Sequence, residues 1–211
     1  MVPNTLLIFG GSGFIGQKIC QKAIEQGYHV YSISTHGKPS INENWVHHAN
    51  MTWIASDVVK HDTWQNDIPD SIHYCINLIG ILKQTTKQTY VNSIIKPNDI
   101  INNWAATKQI PYLFLSAKFG PSGYIKAKKE AESLIISQDN QNTIVYSGLV
   151  TDKNHLLKQT QGVVLKLGAK IPVLSHWCKQ VYPIDVNHLA CAILNVVKSP
   201  DKTSKYVDLT Q

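Results

Sequence analysis

Two groups of residues in this chain have types and spacing that suit chemistry. The first is Tyr124-x-x-x-Lys128. Four positions apart on a helix, the two side chains share a face, one turn from each other. An ammonium beside a phenol favours the phenolate, so Tyr124 is expected to act as a general acid or base near neutral pH. Nine tyrosines and 20 lysines in 211 residues make about one such pair expected by chance, so the spacing needs its setting. That setting is the apolar run Pro111-Tyr112-Leu113-Phe114-Leu115-Ser116, followed by a helical pattern over residues 124–137. Ser116, at the end of the run, is placed to polarise a substrate carbonyl. The competing reading is a half-buried tyrosine beside a solvated lysine, with Glu130 and Glu132 balancing the lysines of that face.

The second group is Gly10-Gly11-Ser12-Gly13-Phe14-Ile15-Gly16. A first glycine permits a tight turn at a strand end, a second lets a pyrophosphate approach the backbone, and a third lets the helix pack closely on the strand. The free amides and dipole at the helix N-terminus then hold phosphate oxygens. The next strand ends at Ser34-Thr35-His36-Gly37-Lys38, and the nearest carboxylate is Glu43. A carboxylate at this point favours a free ribose 2′-OH. Hydroxyls at Ser34 and Thr35 followed by His36 and Lys38 suit a 2′-phosphate better, so NADP is the preferred cofactor and NAD the alternative.

These groups need a scaffold, and the pattern supplies one. Thr5-Leu6-Leu7-Ile8-Phe9 has strand length and composition, and Ile15, Ile19, Ala23 and Ile24 mark one helical face that Gly27 suits at its C-terminal end. His29-Val30-Tyr31-Ser32-Ile33-Ser34 completes a βαβ unit. Further strands are expected at residues 51–55, 73–79, 111–116 and 143–147. A helical pattern over 89–107 is interrupted by Pro97, which predicts a kink or a late start. Residues 184–197 read as a helix and 205–209 as a terminal strand, while Leu156-Leu157 and Val163-Val164-Leu165 suit short helices. Strands alternating with helices predict an α/β fold, a doubly wound parallel sheet (Rossmann-like) with a small C-terminal substrate region. Residues 1–150 are expected to form the NAD(P)-binding domain, and residues 151–211 to complete it and line the substrate site.

Composition narrows the function. The net charge is +6, all 20 basic residues are lysine, and no arginine is present. The lysines are dispersed, whereas a nucleic-acid binder concentrates its cations and uses arginine for bidentate readout, so no nucleic-acid partner is expected. No stretch has the ~18 consecutive apolar residues of a spanning helix. The N-terminus lacks the pattern of a secretory signal, and Cys20, Cys75, Cys178 and Cys191 form no CxxC pair. A reducing compartment is therefore expected, cytoplasmic first and peripheral mitochondrial as the alternative. His47-His48 reads as a polar loop rather than a metal site, and the five dispersed tryptophans as packing.

Taken together, these residues resemble the atypical or extended short-chain dehydrogenase/reductase family. They are similar to its NAD(P)-binding, epimerase-like group, which includes the complex I 39-kDa subunit and a yeast coenzyme Q biosynthesis-associated group. The glycine turn matches the family motif. The resemblance implies that Asp57-Val58 contacts adenine, that Leu78-Ile79-Gly80 lies over the adenosine ribose, and that Asn92 is the asparagine of the central helix. It further implies that Ser116, Tyr124 and Lys128 are catalytic, with Lys128 also binding the nicotinamide ribose. Three features depart from the family. Tyr146-Ser147-Gly148 stands where Arg-Pro-Gly is usual. Tyr124 follows Ser116 by only eight positions, which makes Ser122 a second candidate, although its place suggests a helix N-cap. About 60 residues follow the sixth strand, fewer than nucleotide-sugar enzymes typically have.

The expected function is that of an NAD(P)-dependent oxidoreductase moving hydride between nicotinamide and a small carbonyl or alcohol. A catalytically silent NAD(P)-binding structural, assembly or redox-sensing protein is the alternative, and a nucleotide-sugar epimerase or dehydratase the third reading. The expected partner is a small-molecule substrate, and homo-oligomerisation is left open.

Overall fold

The computed structural model describes residues 4–152, 183–199 and 205–210. Leu156, Leu157, Val163, Val164, Leu165, Trp177 and Cys178 fall outside them. In chain order the elements are β1 (Thr5–Phe9), α1 (Phe14–Glu25), β2 (His29–Ser34), β3 (Met51–Ala55) and β4 (Tyr74–Asn77). A π-helical turn (Val91–Ile95) then runs into α2 (Lys96–Thr107), followed by β5 (Tyr112–Ala117), α3 (Ser122–Ile136) and β6 (Asn142–Ser147). The last are β7 (Val150–Thr151), β8 (Ile184–Asp185), α4 (Val186–Lys198, the fourth helix described) and β9 (Tyr206–Asp208).

Seven strands form one sheet in the order β3-β2-β1-β4-β5-β6-β9, and every neighbouring pair is parallel. This is the doubly wound architecture expected from the sequence. β1 lies inside the sheet, between β2 and β4, and is buried along its whole length, because both faces of a parallel sheet are covered. The period of two sorts its side chains between two cores. Leu6 and Ile8 face the layer of α1 and α4, while Leu7 and Phe9 face the layer of α2 and α3. β5 follows the same rule: Leu113 and Leu115 join the first core, Tyr112 and Phe114 the second. Chain order reverses between β1 and β4, so a crevice opens at their C-terminal ends.

Several boundaries differ from expectation for local reasons. β4 ends at Asn77 rather than at residue 79 because the Asn77 carboxamide oxygen accepts the Ile79 amide at 2.9 Å. The α-helix of 89–107 starts late, at Lys96, after the π-helical turn Val91–Ile95 and with Pro97 in its first turn. Ile184 and Asp185 are not helical. They pair with β7, and the Asp185 side chain accepts the Asn187 amide as the N-cap of α4. Ser122 is not an N-cap: Pro121 occupies that position, and Ser122 is the first residue of α3. Trp64 is packing, as expected, edge-on to Phe9 and Trp104 at 5.1 Å each.

A buried polar chain fixes the two layers that meet at the crevice. The Asn77 side-chain amide donates to the Tyr112 hydroxyl at 2.8 Å, which donates to the Asn98 carboxamide at 2.7 Å. The Asn98 amide in turn donates to the Ala131 carbonyl of α3 at 3.0 Å. Tyr112→Phe would leave a buried donor and a buried acceptor unpaired. Urea unfolding is expected to show a loss of about 1–3 kcal/mol with an unchanged m-value.

Candidate active site

Gly10 follows β1 with φ +83°, a conformation that favours glycine. It is enclosed by the chain leaving β4: a Cβ there would stand 3.3 Å from the Leu78 carbonyl carbon and the Ile79 nitrogen. Gly16 serves close approach instead. Its Cβ would stand 2.3 Å from the Gly10 carbonyl oxygen and 2.6 Å from the Gly11 Cα. A Cβ on Gly11 would meet the Ser32 hydroxyl at 2.3 Å, and that hydroxyl is buried without a hydrogen-bond partner among the described residues. The loop is pinned from β2, where the Ser34 hydroxyl accepts the Ser12 amide at 3.2 Å.

At the N-terminus of α1 no side chain caps the helix, since the N-cap is Gly13. The first bond into the helix runs from the Gln17 amide to the Gly13 carbonyl at 2.8 Å. The Ser12 and Gly13 amides of the preceding turn are taken by the Ser34 hydroxyl and the Gly10 carbonyl, so it is the first-turn amides of Phe14, Ile15 and Gly16, which have no partner within the helix, that are left to a ligand or to water. A bare backbone, amides aimed outward and the positive end of a dipole fit a diphosphate.

Around this cradle, Thr35, His36 and Lys38 are exposed in the turn after β2. Asp57 and Val58 lie just past β3, with the Asp57 carboxylate accepting the Val59 amide at 3.1 Å and paired with Lys60 at 3.0 Å. Burial works against its charge, but these partners more than offset it and hold the carboxyl below its ordinary range. Asn92 is exposed in the π-helical turn, and its backbone amide donates to the Thr89 hydroxyl at 3.2 Å.

Tyr124 and Lys128 sit on one face of α3, as the spacing requires. Lys128 is not a solvated lysine: only 4% is exposed. Its ammonium donates to the Leu115 carbonyl at 2.7 Å and lies 4.3 Å from the centre of the Phe114 ring. It also packs against the cradle side of the site, 3.5 Å from where a Cβ on Gly80 would be. Burial pulls its pKa down to about 7, and the charge of Glu132 opposes that. Tyr124 packs against Gly120, whose Cβ would stand 2.8 Å from a ring carbon, and its ring centre lies 6.3 Å from that of Tyr90.

The lowered tyrosine pKa expected from the spacing is not present in the free chain. Burial first, and then Tyr90, push the Tyr124 phenol up to about 12. Lys128 has turned to the Leu115 carbonyl, 5.8 Å from the Tyr124 ring centre. The phenol therefore holds its proton and stands as a donor.

Ser116 is 1% exposed, and its hydroxyl donates to Glu132 at 2.5 Å. The second oxygen of Glu132 accepts the Tyr146 hydroxyl at 2.8 Å. Glu132 thus belongs to the site and not to a surface face. The signal was in the sequence: it lies four positions beyond Lys128 and eight beyond Tyr124, on the same helical stripe. Tyr90 and Gly120 were missed because nothing in their spacing announces contact with Tyr124.

Residues 6–143 match the family model described as the NAD dependent epimerase/dehydratase family. Among curated proteins, MIOREX complex component 2 of Saccharomyces cerevisiae is 36% identical over 100 residues, covering 44% of this chain and 35% of that protein. Solved structures share the fold. The Bordetella bronchiseptica enzyme WbmG in complex with NAD superposes with a TM-score of 0.70 at 13% identity, over 99% of this chain and 73% of that one. A wide-type short-chain dehydrogenase/reductase from Veillonella parvula in complex with NADP gives 0.67 at 12% identity, over 97% and 93%.

Gly16→Ala drives a Cβ into backbone that cannot turn aside. The variant is expected to lose about 1–3 kcal/mol in urea unfolding and to lose dinucleotide binding in a fluorescence titration, because α1 must back away from the loop.

Proposed function

The chain belongs to the NAD dependent epimerase/dehydratase family, and on that premise we propose that it is an NADP-preferring oxidoreductase acting on a small carbonyl or alcohol. One observation carries the reading. Lys128 of the Tyr124–Lys128 pair packs against Gly80, and the chain leading to Gly80 closes on Gly10 of the glycine loop. A dinucleotide lying along that line would have its diphosphate at the α1 amides and its nicotinamide end near Tyr124. Gly10, Gly11, Ser12, Gly13, Phe14, Ile15 and Gly16 would hold the diphosphate. Asp57, Val58, Leu78, Ile79 and Gly80 would flank the adenosine, and Asn92 would lie on the nicotinamide side.

The nicotinamide, when bound, supplies or accepts the hydride. The protein's part is proton and position. Tyr124, with its phenol protonated in a half-buried setting, donates to the oxygen of a carbonyl under reduction. Lys128, buried beside it, would stabilise the phenolate left behind and, once its ammonium leaves the Leu115 carbonyl, hold a ribose hydroxyl. Ser116 meets a substrate oxygen only if its hydroxyl leaves Glu132. The NADP preference rests on the turn after β2, where Ser34 is held to the glycine loop and Thr35, His36 and Lys38 stand exposed with no carboxylate among them. Cys20 and Cys75, both buried as free thiols, are compatible with the reducing, cytoplasmic setting included in this reading.

A second reading, a dinucleotide-binding protein without turnover, is favoured by the commitment of the Ser116 hydroxyl to Glu132. Tyr124→Phe separates the two. The enzyme reading expects NADPH oxidation with a responsive carbonyl compound to fall a hundredfold or more, on the order of one lost acid–base group, with NADPH affinity retained. A binding protein has no such rate to lose. For the cofactor, titration followed by nicotinamide fluorescence is expected to give NADPH about tenfold or more the affinity of NADH, the value of one or two charge-assisted hydrogen bonds. Lys38→Ala should narrow that ratio through NADPH alone, and tighter binding of NADH would overturn the assignment.

A further inference from the structure

The stripe of α3 that carries Tyr124 and Lys128 continues by one more turn to Glu132, whose two oxygens are taken by groups from two different strands. Ser116 of β5 donates to one, and Tyr146 of β6 to the other. Among the described residues, by contrast, the sheet gives Lys128 uncharged close neighbours: the Leu115 carbonyl and the Phe114 ring. The segment after β4 brings Gly80 against it, which carries nothing titratable. Tyr90, just before the π-helical turn, packs its ring against that of Tyr124. β6 and β9 reach the stripe through Tyr146, whose ring stacks on Tyr206 and lies under Lys118, itself paired with Asp208. Among the described residues, the carboxylate on the same face of α3 as the buried ammonium, one helical turn away, is that of Glu132.

We infer that Glu132 is a positioning residue of this site: its carboxylate is the counter-ion of Lys128, and it holds the Ser116 hydroxyl at the seam between helix and sheet instead of at a substrate. An ammonium buried among apolar groups loses its hydration and drifts toward the neutral amine unless an opposite charge stands nearby. Glu132 supplies that charge and is itself fixed by two charge-assisted hydrogen bonds. The opposition between burial and Glu132 at Lys128 has this sign. The chain has no arginine that could take over either role. The inference deepens the function proposed above and rests on it for the use to which Lys128 is put; the charge arrangement itself is a property of the protein without ligand.

Lysine side-chain nitrogen NMR of the full chain tests it, with the Lys128 signal assigned by its absence in Lys128→Met. The wild type is expected to titrate with a midpoint near 7. Glu132→Gln keeps the volume, and its carboxamide can still bond both hydroxyls. It should lower the midpoint by about one pH unit, a tenfold drop in the ammonium-to-amine ratio at a given pH. Glu132→Asp, which keeps the charge, should bring the midpoint back toward the wild type. An unmoved midpoint in folded Glu132→Gln overturns the inference. Should that variant not fold, Tyr146→Phe removes one donor that spreads the Glu132 charge, and its midpoint should rise; no rise also overturns it. NADPH titration of the wild type keeps the two questions apart. Absent NADPH binding alongside a shifted Glu132→Gln midpoint rejects the oxidoreductase reading and leaves Glu132 as the counter-ion.

Discussion

The site depends on how closely the backbone of α1 approaches the end of β1. At Gly16 the helix lies so near the Gly10 carbonyl and the Gly11 Cα that no side chain fits between them. That contact aims the first-turn amides of α1 at the crevice beside β4. A helix set back by the width of a methyl group would still pack on the sheet, but its amides would point into solvent over a loop of different shape. The Ser32 hydroxyl beneath Gly11, buried and without a hydrogen-bond partner among the described residues, belongs to the same arrangement. Close packing here is thus a condition of ligand geometry more than a source of stability.

The other half of the site is built in the opposite manner, from polar groups carried into a dry interior. Asn77, Tyr112 and Asn98 form a bonded chain from the end of β4 through β5 to α2, ending on the α3 backbone at Ala131. This chain ties the turn that passes Gly10 to the helix that carries Tyr124 and Lys128. Lys128 itself weakens the fold, because burial of an ammonium is unfavourable even with the Leu115 carbonyl and Glu132 at hand. A residue held at such cost is commonly a functional one. Here its charge is set by the neighbours that position it.

The sequence made some of this legible and concealed the rest for physical reasons. β1, β2 and β3 could be read to the residue: β1 because an interior parallel strand is covered on both faces and appears as an apolar run, β2 and the edge strand β3 because β-branched and aromatic residues recur along them. The glycine turn could be read because each glycine answers a separate steric demand. Boundaries failed where a side chain intervened: Asn77 captured the amide of Ile79 and ended β4, and Pro121 took the N-cap that Ser122 was expected to supply. Glu132 was read as part of a charged surface because local pattern cannot show which turn of a helix faces the sheet. Tyr146 was visible only as a departure from Arg-Pro-Gly. Its partner could be found only once β6 had been placed beside β5, a long-range pairing.

The most direct test of the account is a crystal structure of the protein grown with NADPH. The account predicts the diphosphate against the first-turn amides of α1, with oxygens at hydrogen-bonding distances of about 2.7–3.2 Å, and the nicotinamide ribose beside Lys128. A nucleotide bound elsewhere, or a loop from Gly10 to Gly16 closed over by the protein's own side chains, would contradict it.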